Sequence, residues 1–111
     1  MQLPNATNAF IDDRKLIEYC LNLEHEEGKH KARVFAAALG ITTEIYFVLK
    51  SAILDAILSK DALFIKELSS GKLYQVDFEL VYLDKSALIR SGWIILKNED
   101  FPRLTTCFIL T

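Results

Sequence analysis

Basic residues crowd into Gly28-Lys29-His30-Lys31-Ala32-Arg33, directly after the acidic run Glu24-His25-Glu26-Glu27. The chemistry this spacing suggests is the binding of an anion, a phosphate above all. Ammonium groups, a guanidinium and the N–H groups at a helix start all favour one. His30 adds a side chain that exchanges a proton near neutral pH, as a general acid or base must. Cations at a helix N-terminus work against the helix dipole, and such a local violation is a place to look for function. A solvated helix end whose charges are met by Glu24, Glu26 and Glu27 would give the same pattern without any chemistry.

A second set of polar residues falls on the strands. Asp77, Glu79 and Arg90 are expected on one sheet face, where the plain reading is a cross-strand ion pair. In the functional version Arg90 holds a phosphate or a developing oxyanion and the carboxylates orient it. Arg103-Leu104-Thr105-Thr106 could add a guanidinium and hydroxyl donors, although threonine is also an ordinary strand residue. His25 and His30 lack the spacing of a zinc site, so no metal is expected. The sequence has no glycine-rich phosphate loop, nucleophile elbow or CxxC, and no cofactor is expected. Cys20 and Cys107 stand among apolar residues and read as core side chains.

These groups need elements to hold them. Leu3 to Phe10 reads as an irregular arm. Asp12 is a good N-cap, with Ile11 and Leu16 as a hydrophobic staple, for a helix over about 13–22 that buries Leu16, Tyr19, Cys20 and Leu23. A second helix is expected from Lys29, with Val34, Phe35, Ala38 and Leu39 inward and Gly40 at its end. Thr42 or Thr43 should cap a third, in which Ile45, Val48, Leu49, Ala52, Ile53, Ala56 and Ile57 recur at helical spacing. After Ser59-Lys60-Asp61 the period becomes two, and turn signals divide the rest into strands at about 62–68, 73–83, 86–97 and 103–110.

Short connections make those strands antiparallel neighbours, so the expected fold is α+β: three N-terminal helices packed on a four-stranded antiparallel meander. A two-residue turn at Asp84-Lys85 would set Val76 opposite Trp93 and Glu79 opposite Arg90. Trp93 then faces the core, while Leu88, Ile94 and Leu96 fall on the other face, an apolar row in want of a cover.

The 111 residues are expected to form one domain, with a helical half over about 12–58 and a sheet half over about 62–110. A formal net charge of −2 supplies no global field for nucleic acid, so any such role must come from a local patch. The N-terminus has no signal-peptide pattern and no apolar run is long enough to span a membrane, so a cytoplasmic location and no membrane partner are expected.

Three blocks carry a resemblance: Leu3-Pro4-Asn5-Ala6 with Ile11-Asp12, then Gly28 to Phe35 leading to Leu39-Gly40, then Arg90-Ser91-Gly92-Trp93-Ile94-Ile95 with Pro102-Arg103-Leu104-Thr105-Thr106. Together they resemble a bacterial domain family of unknown function, found as small stand-alone proteins and at the C-termini of polymorphic toxins. Its layout is similar to the barnase/RelE/colicin-like ribonuclease toxins. The resemblance implies a metal-independent endoribonuclease or toxin-type domain acting on RNA. By position it carries over His30, Lys31, Arg33, Asp77, Arg90, Arg103 and Thr105. Together with the reading of the residues, this gives His30, Lys31, Arg90 and Thr105 as candidate catalytic groups, Lys29, Arg33 and Arg103 as candidate phosphate-binding groups, and Asp77 and Glu79 as support. Ser91 stands where the resemblance leads one to expect Thr, and Phe108 where it leads one to expect Tyr. The alternative is a non-catalytic interaction module whose open sheet face meets a neighbouring gene's product or a second copy of the chain.

Overall fold

A computed structural model describes residues 1–111. A 3-10 turn (Ala6–Asn8) and a π-helical segment (Lys15–Cys20) lead into α1 (Lys29–Leu39). A second 3-10 turn (Thr43–Ile45) runs into α2 (Tyr46–Ser59), and β1 (Ala62–Glu67), β2 (Gly71–Tyr82), β3 (Lys85–Leu96) and β4 (Arg103–Ile109) follow. The strands lie in the order β1-β2-β3-β4 with every neighbouring pair antiparallel, which is an α+β architecture on a meander sheet.

One sheet face is covered by the helices. Val76, Phe78 and Leu80 of β2, Ile89 and Trp93 of β3, and Leu104, Cys107 and Ile109 of β4 are buried against Phe35 and Leu39 of α1 and Leu49, Ile53 and Ile57 of α2. Each such side chain contributes roughly 1.5–3 kcal/mol by leaving water. Buried Trp93 donates from Nε1 to Ser91 Oγ at 2.9 Å, and Ser91 Oγ donates to the Val76 carbonyl at 2.8 Å, so the one polar side chain in the core is satisfied.

α1 stops where expected. Gly40 takes a left-handed φ of 69°. Its N–H donates to Ala36 O at 3.0 Å, the 5→1 bond of an αL closure, and that of Ile41 donates to Phe35 O at 3.3 Å. α2 begins differently from the expectation. No threonine side chain caps it, and the tight turn Thr43–Ile45 feeds the chain in instead.

The first helix departs more. Asp12 does cap it, accepting the Arg14 N–H at 3.0 Å, but the chain then winds as a π-helix over Lys15–Cys20. The wider turn brings Leu21 into the core and leaves Leu23 exposed, reversing the expectation for Leu23.

The central hairpin is displaced by two residues from the expected register. Its turn is Leu83-Asp84, Val76 faces Ser91, and Arg90 faces Asp77 while Glu79 faces Leu88. A two-residue shift leaves every side chain on its expected face, so the apolar pattern fits both registers equally. Leu83 enters the turn with a left-handed φ of 56°. The N-terminal arm ties down both ends of the sheet. Met1 O accepts the Ala62 N–H at 2.6 Å, and Phe10 bridges β4 through Leu104 N–H to Phe10 O at 3.1 Å. No single helix is long and apolar enough to cross a membrane.

Candidate functional site

The second sheet face is open, and its relief comes from two bulges and a glycine. Between Phe64 and Lys66 on β1 the register slips, leaving Ile65 without a partner. Between Gly92 and Trp93 it slips against β4, leaving Thr105 as the extra residue. Bulges re-aim side chains, and here both extra residues line the same hollow of about 300 Å³. Its floor is Gly92, which in register faces Gln75 on β2 and Thr106 on β4. A Cβ on Gly92 would come within 3.0 Å of both Thr105 Oγ1 and Thr106 Cγ2, so glycine keeps the hollow open.

Arg90 stands at the rim. Its Nε and Nη2 donate to the two Asp77 carboxylate oxygens at 3.0 and 2.9 Å, and this pairing raises the guanidinium pKa further. With the Gln75 amide oxygen turned toward Arg90, it accepts from the same two nitrogens at 3.2 and 3.3 Å. That orientation leaves the Gln75 NH2 and Arg90 Nη1 as unengaged donors beside the hollow. Thr106 Oγ1 is buried without a hydrogen-bond partner.

Phe108 forms a wall shared with a second hollow, of about 350 Å³, lined also by His30, Lys31 and Val34 of α1 and by Leu110. Lys31 Nζ lies 4.4 Å from the Phe108 ring centroid, close enough for a cation–π contact. None of Lys29, His30, Lys31 and Arg33 forms an ion pair, so Glu24, Glu26 and Glu27 do not neutralise the cluster directly.

The N–H groups before α1 are a different matter. His25 Nδ1 accepts from the Glu27 and Gly28 N–H groups at 3.0 and 2.9 Å, and His25 O accepts from Lys29 N–H at 2.9 Å. The expectation that helix-start N–H groups would help hold a phosphate is corrected at these positions, because a histidine already caps them. Gly28 is required for contact rather than for anion binding. A Cβ there would lie 2.7 Å from Tyr19 O, and the Tyr19 ring meets His25 edge-on at 4.8 Å.

The sequence-named residues therefore divide. Arg90 and Thr105 share the Gly92 hollow with Asp77 behind Arg90, and His30 and Lys31 share the adjoining one. Lys29 and Arg33, half-buried and exposed, lie on α1 beside these and line neither hollow. Arg103 is held elsewhere: both its bonds to Glu99 are 2.7 Å, and its guanidinium sits 5.2 and 4.9 Å from the Phe10 and Phe101 rings. Glu79 lines a separate groove between α2 and β2. The sequence reading missed Ile65, Gln75 and Gly92 as site residues, while Thr106 was named with Thr105 as a hydroxyl donor. An isolated glycine inside a strand is a signal of a bulge or a close approach, and Gly92 carried it.

The whole of this geometry lies within residues 2–111, which match a family described as a domain of unknown function, DUF6883. The chain belongs to that family. No curated protein and no solved structure matches the chain. The DUF6883 match takes in every residue of both hollows, the two bulges and the His25 cap. Its description names no activity, so the chemistry rests on the arrangement of these side chains.

Proposed function

We propose that the paired hollows are the RNA phosphodiester site of a metal-independent endoribonuclease or toxin-type domain. The observation that supports this reading is Phe108, which lines both hollows, one with His30 and Lys31 and the other with Arg90 and Thr105. A ribose 2′-oxygen attacks the neighbouring phosphorus. Its proton passes to His30, the 2′-O–P bond forms, the P–O5′ bond breaks, and the departing 5′-oxygen takes a proton from solvent. Lys31 and the free end of Arg90 offset the charge that builds on the equatorial oxygens, and Thr105 can donate to one of them.

A labelled RNA oligonucleotide incubated with the protein in EDTA tests this. Wild type should cleave to a 2′,3′-cyclic phosphate. His30→Ala should lose roughly 100-fold or more in rate, and Arg90→Ala roughly 100-fold, the usual cost of a general base or a charge-stabilising donor. Uncleaved RNA with wild type, or undiminished cleavage by His30→Ala, overturns the proposal. Growth arrest on inducing wild type but not His30→Ala would carry the toxin-type part.

A second reading, a docking module for a neighbouring gene's product or a second copy, draws on exposed Leu63 and Leu88 on the open face. Light scattering of wild type against Leu88→Glu separates self-association from a monomer. A monomeric wild type removes the second-copy version.

A further inference from the structure

We propose that the hollow over Gly92 seats one nucleobase of the bound strand, with Gln75 as the residue that reads it. The inference rests on the phosphodiester reading for the strand's placement, but its own support is the construction of the hollow. Two of its walls, Ile65 and Leu73, are branched and apolar, and a third is the aromatic Phe108. Such walls suit a flat ring, and stacking on an aromatic side chain is tolerant of which base is present. The volume of about 300 Å³ lies at the small end of ligand pockets, enough for one ring-bearing unit.

The polar groups are arranged asymmetrically. The Gln75 carbonyl is engaged by Arg90, so the amide offers its NH2, and it does so across the glycine floor from Thr106. An NH2 held in one orientation distinguishes base edges that present an acceptor there from those that present a donor. Arg90 and Thr105 line the same hollow from either end of the Gly92 floor, so a base seated over Gly92 and the sugar-phosphate beside it would be bound together. Three sheet features whose only evident common effect is to open this space converge on it: the Ile65 bulge, the Thr105 bulge and a glycine in mid-strand. A site for phosphate alone would not need the apolar walls.

The test compares the four 5′-nucleoside monophosphates with ribose 5-phosphate, which carries the same phosphate and no base, by titration into labelled protein followed by NMR. At least one nucleotide should bind tenfold or more tightly than ribose 5-phosphate and shift the Gly92 amide and the Gln75 side-chain NH2. Gly92→Val should abolish that advantage, so that no nucleotide binds the variant more tightly than ribose 5-phosphate does. Should Gly92→Val fail to fold, Gln75→Leu at a half-exposed position should compress the ranking of the four nucleotides by at least fivefold. Equal binding of ribose 5-phosphate and all four nucleotides overturns the base seat even if RNA is cleaved. A base-dependent advantage in a protein that cleaves no RNA leaves the seat standing and removes the nuclease.

Discussion

Ser91 shows how a single hydroxyl can hold a core together. It accepts from Trp93 Nε1 and donates to the Val76 carbonyl inside a region with no access to water. Ser91→Ala would leave a buried indole N–H without a partner, at a cost of about 1–3 kcal/mol, whereas a surface Ser→Ala change would scarcely register. Urea unfolding of the two proteins, with an unchanged m-value, measures this, and equal midpoints would remove the relay's importance. The opposite sign is expected at Leu83. Its side chain is 82% exposed and its φ of 56° is one that a Cβ disfavours. Leu83→Gly should therefore raise stability by about 1 kcal/mol, seen as a higher urea midpoint. A lower midpoint would mean that Leu83 makes a contact worth more than the backbone strain it carries.

Elements bring groups together that are weak alone. Asp12 is chelated by the Arg14 guanidinium and also accepts the Arg14 N–H at the start of the first helix, bonds that hold its carboxyl down at about 2 against an ordinary 3.8. The folded protein releases this proton more readily than the unfolded chain does. The cap's contribution is accordingly complete above about pH 4 and drains away as pH falls through about 2. The stability gap between wild type and Asp12→Asn in urea should shrink across that window. A gap constant from pH 5 to pH 2 would show that the charge plays no part.

The same cap was legible in the sequence, as were the α1 boundaries, the Gly40 stop and the four strands, because each depends on local chemistry or on period. What was not legible depended on parity or on winding. Apolar alternation fixes which face a residue occupies but not its partner two positions along, so Asp77 rather than Glu79 meets Arg90. A π-turn displaces everything after it, so Leu21 replaced Leu23 in the core. The hollow was only half visible. Arg90 and Thr105 were named, while Ile65 joins it through a bulge that no residue type encodes strongly.

At the scale of the whole molecule, the electrostatics set a limit on how any nucleic acid is held. The chain is acidic overall at −2, so attraction needs local cations, and under the proposed site these are the unpaired ones on α1 beside His30: Lys29, Lys31 and Arg33. A patch of this size displaces few counterions. For a single strand the dependence of log K on log salt falls by about 0.7 per phosphate neutralised, which gives a slope near −2 if all engage. Raising salt from about 50 to about 200 mM should then weaken binding of a short RNA roughly 20-fold. Lys31→Ala should make the slope shallower by about 0.7, since its ammonium stands over the ring of Phe108, the residue both hollows share. Fluorescence anisotropy across a salt series reads both numbers. A slope near zero would place the binding energy in the apolar walls instead, and a steep slope indifferent to Lys31→Ala would move the nucleic acid to another face of the protein.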